Sequence, residues 1–163
     1  MGFPTRTAAG IYITMMIFEP QRPPQYYSKQ LLHSDELPYF ANGHEQLILN
    51  RGNHRLAPAI CYESMQIKHL ENAVSLGASI YVACVADSEK GVCNAFKHYS
   101  TISQKYSLPV LMSNSIGFCD NFFSVGQSGV WNKKGTLLAQ LNDHEEGVIV
   151  YDTENEQAVV FFL

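Results

Sequence analysis

The sequence predicts a layered α/β sandwich, on three observations. Short apolar runs rich in β-branched residues, such as Ile11 to Phe18 and Ser79 to Val85, read as buried strands. From Leu56 to Val85 the pattern runs strand, helix, strand, which favours a parallel pair joined by a helical crossover. Turn-forming clusters elsewhere punctuate strand-like runs and predict antiparallel hairpins on either side of that unit. The 163 residues suffice for one domain with a substantial core, and 46% apolar with 16% charged residues suits a globular fold.

Gly2 to Thr7 reads as a loop leading into the first strand, Ile11 to Phe18. Three prolines between Glu19 and Pro24 exclude a ladder there and make a turn. Gln25 to Lys29, with two tyrosines, returns as the partner strand and delivers Lys29 at its end. Leu31 to Gly43 is irregular; a loop this long in a compact domain is often functional. Gln46 to Asn50 and His54 to Ile60 form a second hairpin across Arg51-Gly52. A helix from Gln66 to Leu76 is marked by Ile67, Leu70, Ala73 and Val74 at helical spacing and closed by Gly77. Asp87 to Cys93 reads as a polar loop and Asn94 to Tyr106 as a second helix. Leu108 to Met112 is a buried strand, and Ser113 to Asn121 a loop. Val125 to Trp131 and Thr136 to Gln140 form a hairpin. Gly147 to Asp152 is a closing strand, and the apolar tail Val159 to Leu163 is expected to dock, with a second subunit as one candidate.

Composition narrows the function. A net charge of -4 argues against general nucleic-acid affinity, which wants a basic face. No apolar run approaches the roughly 20 residues that cross a bilayer, and no basic-then-apolar leader opens the sequence. Cys61, Cys84, Cys93 and Cys119 form no C-x-x-C pair, so reduced thiols and a cytoplasmic location are expected. The six histidines have no i, i+4 pair, so neither a metal nor another cofactor is expected.

Chemistry gathers around Leu56-Ala57-Pro58-Ala59-Ile60-Cys61-Tyr62-Glu63-Ser64, a strand that ends abruptly at a cysteine before a helix. A sulfur on such a corner lies beside free N–H groups of the helix start. Those donors and the helix dipole are expected to favour the thiolate, and they suit the oxyanion of a tetrahedral intermediate. Lys29 and Glu36 also lie at a strand end and in the loop after it, where layered α/β folds bind ligands. An ammonium stabilises both thiolate and oxyanion, and a carboxylate moves a proton. Cys61, Lys29 and Glu36 therefore suffice in type for amide hydrolysis through a thioester.

Three ordered blocks carry a family resemblance: Tyr27-Ser28-Lys29-Gln30-Leu31, Asp35 to Gly43 (DELPYFANG), and Ile60-Cys61-Tyr62-Glu63. Further on come Gly77-Ala78-Ser79-Ile80, Leu111 to Gly117 (LMSNSIG), and Phe123 to Ser128 with Trp131 to Gly135. In this order they resemble the nitrilase superfamily of carbon–nitrogen hydrolases, from about Gly2 to Asp152. The resemblance implies an α-β-β-α sandwich, often paired between subunits, so a homo-oligomer is expected. It implies Cys61 as nucleophile, Lys29 as the oxyanion-stabilising lysine and Glu36 as the auxiliary glutamate. Tyr62, through its backbone N–H, and Asn114 would face the substrate, and Glu63 would be structural. Tyrosine after the cysteine is similar to the amidase branches, where true nitrilases usually carry tryptophan.

The family's general-base glutamate belongs to an N-terminal Pro-Glu motif, and the only acid before Lys29 is Glu19, in the proline turn. Residues 1–163 are thus expected to be one carbon–nitrogen hydrolase domain, the C-terminal two-thirds of the family fold, incomplete at the N-terminus. The expected function is an amidase acting on a small amide. The alternative is a catalytically impaired member that serves as a binding or assembly module.

Overall fold

A computed structural model describes residues 2–119 and 121–163. The chain opens with β1 (Gly2–Thr7), β2 (Gly10–Ile17) and β3 (Gln25–Ser28), which form a three-stranded antiparallel sheet in that order. Gly2 to Thr7 is therefore a strand and not the expected loop. Its alternation is too polar to signal a strand, but all six residues pair with β2, and Thr5 Oγ1 lies 2.6 Å from Thr14 Oγ1 across the ladder.

The main sheet has six strands. Introduced in chain order, β4 (Leu49–Arg51) and β5 (His54–Ile60) form the second hairpin. A 3₁₀ turn, Cys61–Met65, and α1 (Ile67–Ser75) lead to β6 (Ile80–Val85), parallel to β5. Next come α2 (Glu89–Tyr106) and β7 (Val110–Asn114), parallel to β6. A small hairpin, β8 (Ile116–Cys119) with β9 (Phe122–Val125), precedes β10 (Gly129–Trp131) and β11 (Leu137–Gln140). The spatial order is β11-β10-β7-β6-β5-β4. A last hairpin pairs β12 (Gly147–Asp152) with β13 (Gln157–Phe162), so the apolar tail docks on its own neighbour strand.

Two other expectations change. The second helix begins at Glu89, within the expected polar loop, because the Ser88 carbonyl already accepts the Val92 N–H. The loop expected over Ser113 to Asn121 contains β8, which turns on Gly117 at φ 110°. Pro58 sits inside β5, where a missing N–H would normally break a ladder. It is tolerated because β4 pairs only with His54 to Leu56, leaving that edge open at Pro58.

Alternation assigns the layers. Ala57, Ala59, Tyr81, Ala83, Val110 and Met112 are neighbours in register and share one face of the main sheet. They pack with Leu70 and Ala73 of α1 and with Ala95, Tyr99 and Ile102 of α2 in one core. Small residues on β5 and β6 let the helices approach the sheet closely. On the opposite face, β2 lies across a cavity of about 740 Å³ from Ile60, Cys84 and Ser113. The layers are thus helix, sheet, sheet, an α/β sandwich as predicted. No helix among the described residues is long and apolar enough to cross a membrane.

A buried polar cluster bolts the first sheet to the second. The Tyr27 hydroxyl donates to Glu63 Oε1 at 2.7 Å and lies 2.8 Å from His69 Nε2, and His69 Nδ1 is 2.7 Å from the Tyr81 hydroxyl. Burial holds the His69 imidazole down to about 4, against 6.5 in the open. The unfolded chain therefore binds this proton more tightly than the folded one. Its stability contribution is full above 6.5 and is lost as pH falls towards 4, by up to about 3 kcal/mol. Urea midpoints measured across that window are expected to fall with acid, and a His69→Gln variant should flatten the slope.

Candidate active site

The corner residue Cys61 has φ 48°, in the left-handed region, which turns the chain sharply out of β5. Two side chains lock the turn. Ser64 Oγ donates to the Cys61 carbonyl at 2.7 Å, and Glu63 Oε1 accepts the Ile60 N–H at 2.8 Å. The other Glu63 oxygen accepts the N–H groups of Gln30 and Leu31, at 2.6 and 3.3 Å. One fully buried carboxylate thus fixes the cysteine corner and the residues after Lys29 to each other. Glu63 is the structural acid that the resemblance implies.

Lys29 follows β3 and is 1% exposed. Its backbone N–H donates to Ile13 O, and its carbonyl accepts from Gly43. Gly43 has to be glycine, because a Cβ there would stand 2.2 Å from the Ser28 carbonyl oxygen. Lys29 Nζ donates to both oxygens of Glu36, at 2.6 and 2.7 Å. Glu36 Oε2 also accepts the His33 N–H at 2.6 Å. With both oxygens engaged, Glu36 holds the ammonium in place.

Lys29, Glu36, Cys61 and Tyr62 line one cavity of about 410 Å³, together with His33, Asp35, Met65, Ala86, Asp87, Cys119 and Phe122. The expected set is therefore brought together. Backbone N–H groups of Ala86 and Tyr62 donate towards the Cys61 sulfur, and the Lys29 charge favours its thiolate. Burial outweighs these, and with a contribution from Asp87 it holds the Cys61 thiol above its usual range. The expected thiolate is thus corrected. A 3₁₀ turn intervenes before α1, and desolvation of the sulfur dominates its neighbours.

Asn114 stands elsewhere in the arrangement. Its Oδ1 accepts the Asp87 N–H at 2.8 Å, and its Nδ2 donates to Gly126 O at 2.6 Å and Asp87 O at 3.3 Å. The amide thus braces the loop after β6 and borders the neighbouring 740 Å³ cavity, which Cys61 also lines, rather than the one holding Lys29 and Glu36. Sequence reasoning passed over Ala86 and Asp87. Their position directly after β6, at the same sheet end as Cys61, is the signal that would have found them.

The model of the carbon-nitrogen hydrolase family matches residues 1–158. The chain belongs to the carbon–nitrogen hydrolase family. Solved structures agree on the fold. The glutamine-dependent NAD+ synthetase of Acinetobacter baumannii superposes with a TM-score of 0.85 at 19% identity, over 96% of this chain and 32% of that one. A branch 10 member of the nitrilase superfamily from Saccharomyces cerevisiae gives 0.79 at 17% identity, over 89% and 55%. A variant of the amidase from Nesterenkonia sp. AN1, carrying acrylamide at its active-site cysteine, gives 0.73 at 19% identity, over 87% and 57%. This hydrolase-family chain thus spans less than two thirds of each. A comparison with curated proteins finds no match.

Proposed function

We propose that the chain carries the site of an amidase-type carbon–nitrogen hydrolase, with Cys61 as its nucleophile. The observation that carries this reading is the shared cavity. A cysteine on a locked left-handed corner, with two backbone donors at its sulfur, faces it together with a lysine clamped by a carboxylate.

In the proposed sequence, the thiol proton passes to the Glu36 carboxylate, the acid of the set that shares the cavity, as sulfur attacks the amide carbon. The carbonyl electrons move to oxygen, which Lys29 Nζ and the Tyr62 N–H stabilise. Collapse breaks the C–N bond, and the nitrogen leaves with the transferred proton as ammonia. Water then attacks the thioester, releasing a carboxylic acid and restoring the thiol.

The test uses acrylamide, an amide-shaped electrophile, with mass spectrometry. Cys93 is exposed and is expected to label in proportion to reagent concentration. Labelling of Cys61 should saturate, because the reagent first binds the cavity, and ammonia should be released from small amides. Linear labelling at Cys61 with no ammonia would overturn the reading. Lys29→Met should lower amide turnover by about 10²–10³-fold, the usual cost of one oxyanion donor. It should also slow Cys61 labelling at fixed pH, since the thiol loses its nearby cation.

Self-association belongs to the same reading. On the outer face of the β12–β13 hairpin, Val148 sits opposite Phe161 and Val150 opposite Val159, all about half exposed. A cross-strand apolar face of this kind suits a second copy of the chain. Val150→Glu is expected to lower the association seen by sedimentation velocity.

A further inference from the structure

Resting on the amidase reading above, we propose that Asp87 selects the substrate class: amides that carry a protonated amine a short distance from the scissile carbonyl. Among the charged groups lining the Cys61 cavity, the others are already matched. Lys29 and Glu36 pair with each other, and His33 Nδ1 lies 2.6 Å from Asp35 Oδ1. The Asp87 carboxylate has no hydrogen-bond or ion-pair partner among the described residues, and the residue lines the cavity half-buried, which raises its carboxyl above the usual range. Counted together, the lining holds one ammonium against three carboxylates. A carboxylated substrate is repelled there, and an ammonium is attracted.

The position is built. Asp87 is gripped through its backbone: its N–H donates to Asn114 Oδ1, and its carbonyl accepts from Asn114 Nδ2, Ser124 Oγ and the Val125 N–H. Room for the side chain is kept by Gly91, where a Cβ would come within 2.8 Å of Asp87 Oδ1. The residue before it, Ala86, places its N–H at the Cys61 sulfur, and the Asp87 charge acts on that sulfur. An ammonium bound at Asp87 therefore lies within reach of an amide whose carbonyl carbon meets Cys61. It also neutralises the charge that disfavours the thiolate, so the preferred substrate assists in activating its own nucleophile.

The experiment compares β-alaninamide with butanamide, its neutral isostere, in the wild-type chain and in Asp87→Asn. Turnover is read as the kcat/KM ratio. Binding is read by calorimetry on a Cys61→Ser background, which does not depend on turnover. Wild type is expected to favour the ammonium amide by about tenfold, a preference that shrinks with added salt. Asp87→Asn should bring the ratio to about one, because any change in Cys61 reactivity is common to both amides and cancels in the ratio. Equal handling of the two amides by the wild type, binding of neither, or a preference that survives Asp87→Asn would overturn the proposal. If acrylamide labelling at Cys61 proves linear and no ammonia is released, the amidase reading falls by itself. The calorimetric comparison still decides whether Asp87 binds an ammonium.

Discussion

Cys61→Ala is expected to abolish amide hydrolysis, with a loss on the order of 10⁶-fold, as when a covalent nucleophile is removed from a set that acts as a unit. The size of the loss follows from the geometry. In the amidase reading Lys29 and the Tyr62 N–H stabilise the oxyanion that forms after sulfur attacks, and they have nothing to stabilise when no attack occurs. The fold should hardly notice. Ser64 grips the corner through the Cys61 carbonyl and Glu63 through the Ile60 N–H, and neither bond involves sulfur. Ammonia release and urea midpoints, measured on the same preparation, separate the two effects. If a biological activity of the protein survives the substitution intact, the chain works as a binding or assembly module and the amidase reading is wrong.

Glu63→Gln should give the largest loss of stability from a near-isosteric change, about 3 kcal/mol. Each carboxylate oxygen accepts two donors: Tyr27 and Ile60 on one side, Gln30 and Leu31 on the other. An amide offers one acceptor oxygen and turns its NH₂ towards two N–H groups or towards a hydroxyl and an N–H. At least one buried backbone donor then loses its partner. For a chain of this length the fall corresponds to roughly 6–12 °C in Tm, measurable by calorimetry. Burial pushes the Glu63 carboxyl above its usual range, while its four donors pull it back. The folded form thus holds this proton more tightly than the unfolded one. The wild-type contribution is greatest at low pH and falls as pH rises from the usual carboxylate value through the raised one. Glu63→Gln should lack that part of the slope.

What could be read in advance was what local pattern determines. The hairpins of β2 with β3 and β4 with β5, and the crossover from β5 through α1 to β6, are strongly periodic and end at clear turn residues. Elements that depend on a partner escaped. β1 is polar and becomes a strand only by lying against β2, and the first turn of α2 hides Gly91 and Cys93 inside a charged stretch. The site divides in the same way. Cys61, Lys29 and Glu36 stand at strand ends or just beyond, and that placement is visible in one dimension. The protonation of Cys61 is not, because it depends on how many atoms from other elements crowd the sulfur. Asn114 was legible only in part: its place at a strand end is visible in the sequence, but the hydrogen bonds by which its amide braces Asp87 and Gly126 are not.

The left-handed backbone at position 61 has a consequence for anyone building an inert scaffold from this chain. Any L-residue there carries a steric penalty of roughly 1–2 kcal/mol that glycine escapes. Glycine is therefore the replacement that silences the chemistry at the least thermodynamic expense, and threonine or valine, branched at Cβ, would be the worst tolerated.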